Sequence, residues 1–181
     1  MSEPVLINPN TADCDGELEA VRRAMSTWST VPTANFQYRF GGTITLVGIA
    51  KDGQNVVSWV DSPSLISDRF LAAGYRWWTD DNPYEIVESD FIFNDWAFTW
   101  GTDGSANRYD VESLAAWGTG FMLGLHGLVG AADSEKTMYA LTGKGETKKR
   151  TLTDDDQAGV TYIYPLSPTP THTPTTTPTP T

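Results

Sequence analysis

Two segments of the chain, TITLVGIA at 43–50 and NVVSWV at 55–60, are rich in apolar residues. Segments of this kind are expected for strands that are buried on both faces of a sheet. A third segment, NFQYRF at 35–40, alternates apolar and polar residues, which predicts a strand with one buried face. GYRWWT at 74–79 and EIVESDFIFN at 85–94 flank the turn-rich sequence DDNPY and are predicted to pair.

Three helices are predicted around these strands. The first lies within residues 11–31, where apolar residues recur at spacings of three and four and form one stripe. The second follows Asp110, which is suited to cap its first turn, and continues to Leu125. The third begins where Thr153 and Asp156 have the spacing of a capping box.

The composition, with 39% hydrophobic and 12% aromatic residues in 181, is that of a globular protein. We expect one domain over residues 4–165, preceded at 1–3 by a leader remnant or added residues. The sequence LSPTPTHTPTTTPTPT at 166–181 is expected to be a stiff, extended linker of the kind that tethers secreted modules. A secreted protein is therefore predicted, although MSEPVLINPN lacks the basic start and apolar core of a signal peptide.

The net charge of −11 argues against two classes of partner. An acidic surface repels phosphate backbones and anionic lipid headgroups, so neither nucleic acid nor a membrane is expected to bind. Cys14 is the only cysteine, which excludes an internal disulfide and a zinc site of four thiolates. We expect a monomer.

Six segments of the sequence resemble segments of the metzincin zinc metalloproteases and occur in the same order as in that family. The resemblance is specifically to the compact, matrixin-like catalytic domains of bacteria. The blocks are INPNTADCDGELEAVRRAMSTW, NVVSWVD, EIVESDFIFN, YDVESLAAW, ADSEKTMYA and TLTDDDQAGVTYIYP. The resemblance implies an α+β fold with α/β character. In that fold a twisted, five-stranded mixed sheet is accompanied by an N-terminal helix, an active-site helix and a C-terminal helix. It also implies a zinc-dependent endopeptidase.

The family motif on the active-site helix is HExxHxxGxxH, or the same motif ending in Asp. Two His side chains one turn apart bind zinc together, and the Glu acts as general base on the zinc-bound water. The corresponding residues here are Trp117, Gly118, Phe121, Gly124 and Gly127. Only the helix-ending Gly124 matches the motif, so the three zinc ligands and the base are absent.

No cofactor is therefore expected. His126 lies one place before the position of the third ligand, and a lone imidazole cannot replace a three-ligand site. It is the candidate acid or base in any metal-free reaction. Calcium on loop carboxylates such as Asp103 or Asp110 is a further hypothesis, which no clear motif supports.

We predict an apolar pocket where the metal site of the family lies. Trp117 and Phe121 are one helical turn apart on the cleft face, and the glycines beside them remove side chains. The strand SDFIFN is expected to form the rim of the cleft. The predicted pocket residues are Trp117, Gly118, Phe121, Gly127, Met138, Tyr139, and Phe91 or Phe93. The alternative is that the aromatic side chains fill the vacated space themselves.

Three functions are compatible with the sequence. The first is a scaffold that has lost proteolysis and binds a peptide or a small apolar or aromatic ligand. The second is a metal-free enzyme, natural or engineered, in which Trp117 stacks on the substrate and His126 or a nearby carboxylate transfers a proton. The third is a zinc-dependent endopeptidase with unconventional ligands.

We predict that the purified full chain retains far less than one zinc ion per molecule after zinc loading and desalting. The reason is that the aligned ligand positions carry no imidazole or carboxylate. Elemental mass spectrometry on the folded protein measures this directly, with a chelator-treated sample as the baseline. Stoichiometric zinc would support the third function and direct the search for ligands to His126.

Overall fold

The computed structural model describes residues 4–80 and 85–166. Its main sheet has five strands in the order β2-β1-β3-β5-β4. All neighbours are parallel except β4, which runs antiparallel to β5. The strands are β1 (Val5–Asn8), β2 (Phe40–Thr43), β3 (Asn55–Val60), β4 (Ala72–Trp78) and β5 (Ile86–Asn94), and a second, two-stranded sheet pairs β6 (Trp100–Gly101) with β7 (Tyr109–Asp110).

The middle of the sheet confirms two predictions. Every residue of β3 is buried, as expected for a strand covered on both faces. The segments predicted to pair are the antiparallel strands β4 and β5. The predicted residues 1–3, most of the tail at 166–181 and most of the DDNPY connection lie outside the described residues.

The predictions for 35–40 and 43–50 were wrong. Strand β2 spans only Phe40–Thr43, and the rest of both segments lies outside strands. Leu46 and Val47 are 40% and 49% exposed, so this apolar run is not covered as a buried strand would be.

Residues 50–53 do not pair as a strand. Their backbone is held by hydrogen bonds to side-chain carboxylates of β5. Glu88 accepts hydrogen bonds from the backbone N–H groups of Asp52 and Gly53, and Asp90 accepts one from Ala50. These bonds satisfy backbone donors that would otherwise pair within a sheet. Burial raises the pKa of Asp90 to about 6.

Two helices, α1 (Glu17–Ser29) and α2 (Val111–Leu123), pack with the sheet around the main core. The Asp110 side chain accepts a hydrogen bond from the backbone N–H of Ser113 at 2.8 Å, which confirms the predicted cap of α2. The indole N–H of Trp28 on α1 donates to the carbonyl of Ala116 on α2 at 2.8 Å. The two helices are thereby joined through a buried hydrogen bond.

The third helix, α3 (Asp154–Ile163), begins with the predicted capping box. One oxygen of Asp156 accepts from the backbone N–H of Thr153 at 2.9 Å. The same carboxylate accepts from the backbone N–H groups of Thr137 and Met138. Asp156 therefore fixes the turn at Met138 beneath α2 as well as the start of α3.

The fold is α+β, with three helices and a five-stranded mixed sheet. Within residues 4–80 and 85–166, no helix combines the length and apolarity that crossing a bilayer requires.

We predict that Asp156→Ala lowers the free energy of unfolding by about 2–4 kcal/mol, because a helix cap is lost and buried N–H groups lose their acceptor. The melting temperature should fall by roughly 5–15 °C in thermal denaturation. Asp155→Ala is the matched control, since the Asp155 side chain is 57% exposed and forms a surface ion pair with Lys136. Equal losses in the two variants would contradict the role of Asp156.

Candidate functional site

Three aromatic side chains, Phe91, Trp117 and Phe121, form one contact cluster between α2 and β5. We call it the aromatic cluster. The rings of Trp117 and Phe121 are stacked, with centroids 6.0 Å apart and planes at 11°. The Phe91 ring lies 6.1 Å from that of Trp117. The one-turn spacing of the two helical residues therefore places them side by side, as predicted.

Trp117 is anchored on the turn that contains Met138. Its indole N–H donates to the Met138 carbonyl at 3.2 Å. A Cβ atom on Gly127 would lie 3.2 Å from the Trp117 ring, so this glycine leaves space for the indole. Tyr139 follows Met138 and forms an isolated parallel bridge with Leu128. The structure thus brings most of the predicted pocket residues together.

The space beside Gly118 is filled and not open. A Cβ atom at this position would lie 2.5 Å from the Phe91 ring. Phe91 and Phe93 are 1% and 0% exposed, so both belong to the core and offer no surface to a ligand in this conformation. Trp117 and Phe121 are only partly buried, and they carry the accessible surface of the cluster.

The predicted rim was wrong. SDFIFN belongs to β5, which is paired on one side with β3 and on the other with β4, so its backbone is not free. The edge of the described sheet on this side is β4. A strand with neighbours on both sides has no backbone groups left for a bound chain.

The register of β4 shows which of its backbone N–H and C=O groups point away from β5. Asn94 donates its backbone N–H to the Leu71 carbonyl, so Leu71 faces β5. Because the direction alternates along an antiparallel strand, the N–H and C=O groups of Ala72, Gly74 and Arg76 point away from β5.

Glycine at position 74 brings this edge close to the aromatic cluster. A Cβ atom there would lie 2.8 Å from the Phe121 ring. Phe121, which is partly exposed and stacks on the partly exposed Trp117, therefore lies beside the free edge of β4.

Arg76 is a site residue that the sequence analysis missed. It is 5% exposed, and its Nη1 donates to the carbonyls of Phe121 and Leu125 at 3.1 and 3.3 Å. Its guanidinium carbon lies 4.2 Å from the centre of the Phe121 ring, and burial lowers its pKa. Arg76 thereby caps the C-terminal end of α2. An arginine in a strand pattern gives no signal of a helix end that is distant in sequence.

His126 follows the C-terminal end of α2. Its side chain is exposed. It lines a groove of about 310 Å³ on the α3 side of the molecule, together with Asp155 and Asp156. Asp155 pairs with Lys136, and Asp156 is occupied by backbone N–H groups. Both carboxylates that line this groove therefore have protein partners.

The residues in the family's ligand positions do not fit zinc. Trp117, Phe121 and Gly127 have no side-chain imidazole, thiolate or carboxylate. No group of three or more His, Cys, Asp or Glu within the described ranges could hold a metal ion.

The two carboxylates considered for calcium have protein partners. Asp110 caps α2 and forms an ion pair with Arg150 at 2.5 Å. Asp103 accepts hydrogen bonds from the backbone N–H and the hydroxyl of Ser105, which lower its pKa.

No family model matches this chain, and no curated protein matches its sequence. Interpretation of the site therefore depends on the geometry described above.

We predict that Gly118→Ala lowers the free energy of unfolding by roughly 1 kcal/mol. The clash with the buried Phe91 ring outweighs the gain in helix propensity. Gly159→Ala in α3 is the matched control, since its Cβ would meet only the end of the Leu125 side chain. Chemical denaturation should show a loss for the first variant and no loss for the second. Stabilisation by Gly118→Ala would show that the space beside Trp117 is open.

Proposed function

We propose that this chain is a metzincin-like scaffold that binds an extended apolar peptide and does not cleave it. The peptide adds as a strand to the outer edge of β4, beside Trp117 and Phe121. The observation that carries the proposal is the position of this free edge directly against the partly exposed Phe121, which stacks on Trp117.

Loss of cleavage follows from the side chains that occupy the family's catalytic positions. Trp117 and Phe121 stack on each other where the family has two zinc ligands, and Phe91 fills the space beside Gly118, where the family has its base. None of these groups can activate a water molecule or polarise a peptide carbonyl. His126 is exposed and lies on a different groove.

The free edge of β4 supports the proposed peptide binding. The outward N–H and C=O groups of Ala72 and Gly74 can pair with a bound backbone in the way one strand pairs with the next. Backbone pairing supplies affinity, and pockets for alternate side chains supply specificity. The partly exposed rings of Trp117 and Phe121 favour apolar side chains on the face of the peptide that lies towards α2.

We predict that the capped peptide acetyl-Ala-Ile-Phe-Val-Ala-amide binds the full chain and is not hydrolysed. In nitrogen-15 NMR it should shift the indole N–H signal of Trp117 and the backbone signals of Ala72 and Gly74. Mass spectrometry of the same mixture should find the peptide intact.

The matched control is the same peptide with alternate backbone nitrogens methylated, which removes the donors needed for strand pairing. It should bind at least about tenfold more weakly. Equal binding of the two peptides would exclude strand addition, and hydrolysis of the first would exclude a non-catalytic scaffold.

A further inference from the structure

A groove of about 490 Å³ lies at the end of β4, and we call it the end groove. Its lining residues are Tyr75, Arg76, Trp77, Trp78, Thr79 and Asp80. Tyr75 and Trp78 are 52% and 47% exposed, and the ring centroids of Tyr75 and Trp77 are 4.8 Å apart. The groove therefore offers exposed aromatic surface to a binding partner.

Arg76 links Trp78 to the C-terminal end of α2. Its guanidinium carbon lies 5.6 Å from the centre of the Trp78 ring. Its Nη1 donates to the carbonyls of Phe121 and Leu125, so the guanidinium is held by the end of the helix. A cation held in this way supports the aromatic ring beside it. The aromatic surface of the end groove is therefore in place before a partner binds.

The end of α3 lies at the same end of α2. The Tyr164 hydroxyl donates to the Leu123 carbonyl at 2.7 Å, within the helix end that Arg76 also contacts. The Tyr164 carbonyl accepts a hydrogen bond from the backbone N–H of Asn35 at 2.7 Å. The chain that follows therefore starts from a fixed point.

A second set of contacts brings this point close to Trp78. A Cβ atom on Gly124 would lie 3.3 Å from the Ile163 side chain and 3.6 Å from that of Ile86. Ile86 is the partner of Trp78 in the pairing of β5 with β4. The last residues of α3 thus lie beside the strands that form the end groove.

The sequence SPTPTHTPTTTPTPT at 167–181 follows, and we call it the Pro/Thr segment. It carries no Asp, Glu, Lys or Arg, so the net charge of −11 does not keep it from the domain. Its composition favours the polyproline II conformation, in which every third residue lies on the same face. Pro168, Pro174 and Pro180 are six residues apart and therefore share one face, which we call the proline face.

The Pro/Thr segment is long enough to reach the end groove. In the polyproline II conformation residues 167–181 would extend roughly 45 Å from Leu166. The diameter of a compact domain of this size is about 40 Å. The length therefore permits docking on the same molecule, and the position of the α3 end makes the path short.

We propose that the Pro/Thr segment docks on the end groove of its own chain, with the proline face packed on Tyr75, Trp77 and Trp78. Proline-rich segments bind aromatic-lined grooves because their extended conformation is already set and little entropy is lost on binding. The proposal is independent of strand addition to β4, which uses the outward backbone groups of Ala72 and Gly74.

The test is a paramagnetic label on the Pro/Thr segment of the nitrogen-15-labelled full chain. A nitroxide is attached to Thr175→Cys in a Cys14→Ser background, so that the label has a single attachment site. It should broaden the indole N–H signals of Trp77 and Trp78 far more than that of Trp59, which is buried in the core. Absence of this broadening, or equal broadening of the three signals, would overturn the proposal.

Two variants of the labelled chain separate docking from attachment near the groove. Pro168→Ser, Pro174→Ser and Pro180→Ser together remove the proline face, so the docked population should fall at least about tenfold and the broadening with it. The matched control is Pro170→Ser with Pro178→Ser, which changes prolines on the other faces and should leave the broadening nearly unchanged. All five substitutions lie beyond residue 166, so the sequence of the domain is unaltered. Equal effects of the two variants would contradict docking through the proline face.

A mixed sample identifies which molecule supplies the segment. Chain that carries the nitroxide but no nitrogen-15 is mixed with nitrogen-15-labelled chain that carries no nitroxide. Docking within one molecule predicts no broadening of Trp77 and Trp78 in this mixture. Broadening there would overturn the proposal and identify a second copy as the occupant.

A last arm separates this site from strand addition. Excess acetyl-Ala-Ile-Phe-Val-Ala-amide is added to the nitroxide-labelled chain. The broadening of Trp77 and Trp78 should persist, because the peptide binds along Ala72 and Gly74. Loss of the broadening would overturn the assignment of the end groove to the Pro/Thr segment alone and show that an apolar peptide competes for it.

Discussion

The close packing of α2 is the constraint on which the rest of the structure depends. Almost every residue of this helix is buried, so it must meet α1, the sheet and the Met138 turn at short distances. Gly120 makes the approach feasible, because a Cβ atom there would overlap Met138 and Trp28. The hydrogen bond from Trp28 to the carbonyl of Ala116 then fixes the depth of α1 against α2.

This packing explains which elements bound the aromatic cluster on its two sides. Towards the sheet, Phe91 occupies the space beside Gly118, and the core is continuous. Towards β4, Gly74 brings the edge strand against Phe121, which stacks on the partly buried Trp117. Aromatic side chains thus fill the space between α2 and β5.

Particular residues show which structural features could be predicted from sequence patterns and which could not. The caps at Asp110 and Thr153 were predictable because capping depends on neighbours within one turn of helix. The burial of 55–60 was predictable from its apolar content. The same reasoning failed for 43–50, where Glu88 and Asp90 hold the nearby turn by hydrogen bonds that no local pattern indicates. The prediction that SDFIFN in β5 forms the rim of the cleft also failed, because strand order is decided by pairing across the whole sheet.

The sequence by itself determined the three helices and the caps of α2 and α3, since each of these depends on residue types at short spacing. Only the tertiary structure decided that β4 is the edge strand, that Phe91 fills the space beside Gly118, and that Arg76 caps α2. Arg76 is 45 residues from Phe121, whose carbonyl it binds. Contacts over such distances arise from the way the strands and helices pack, which short-range periodicity does not encode.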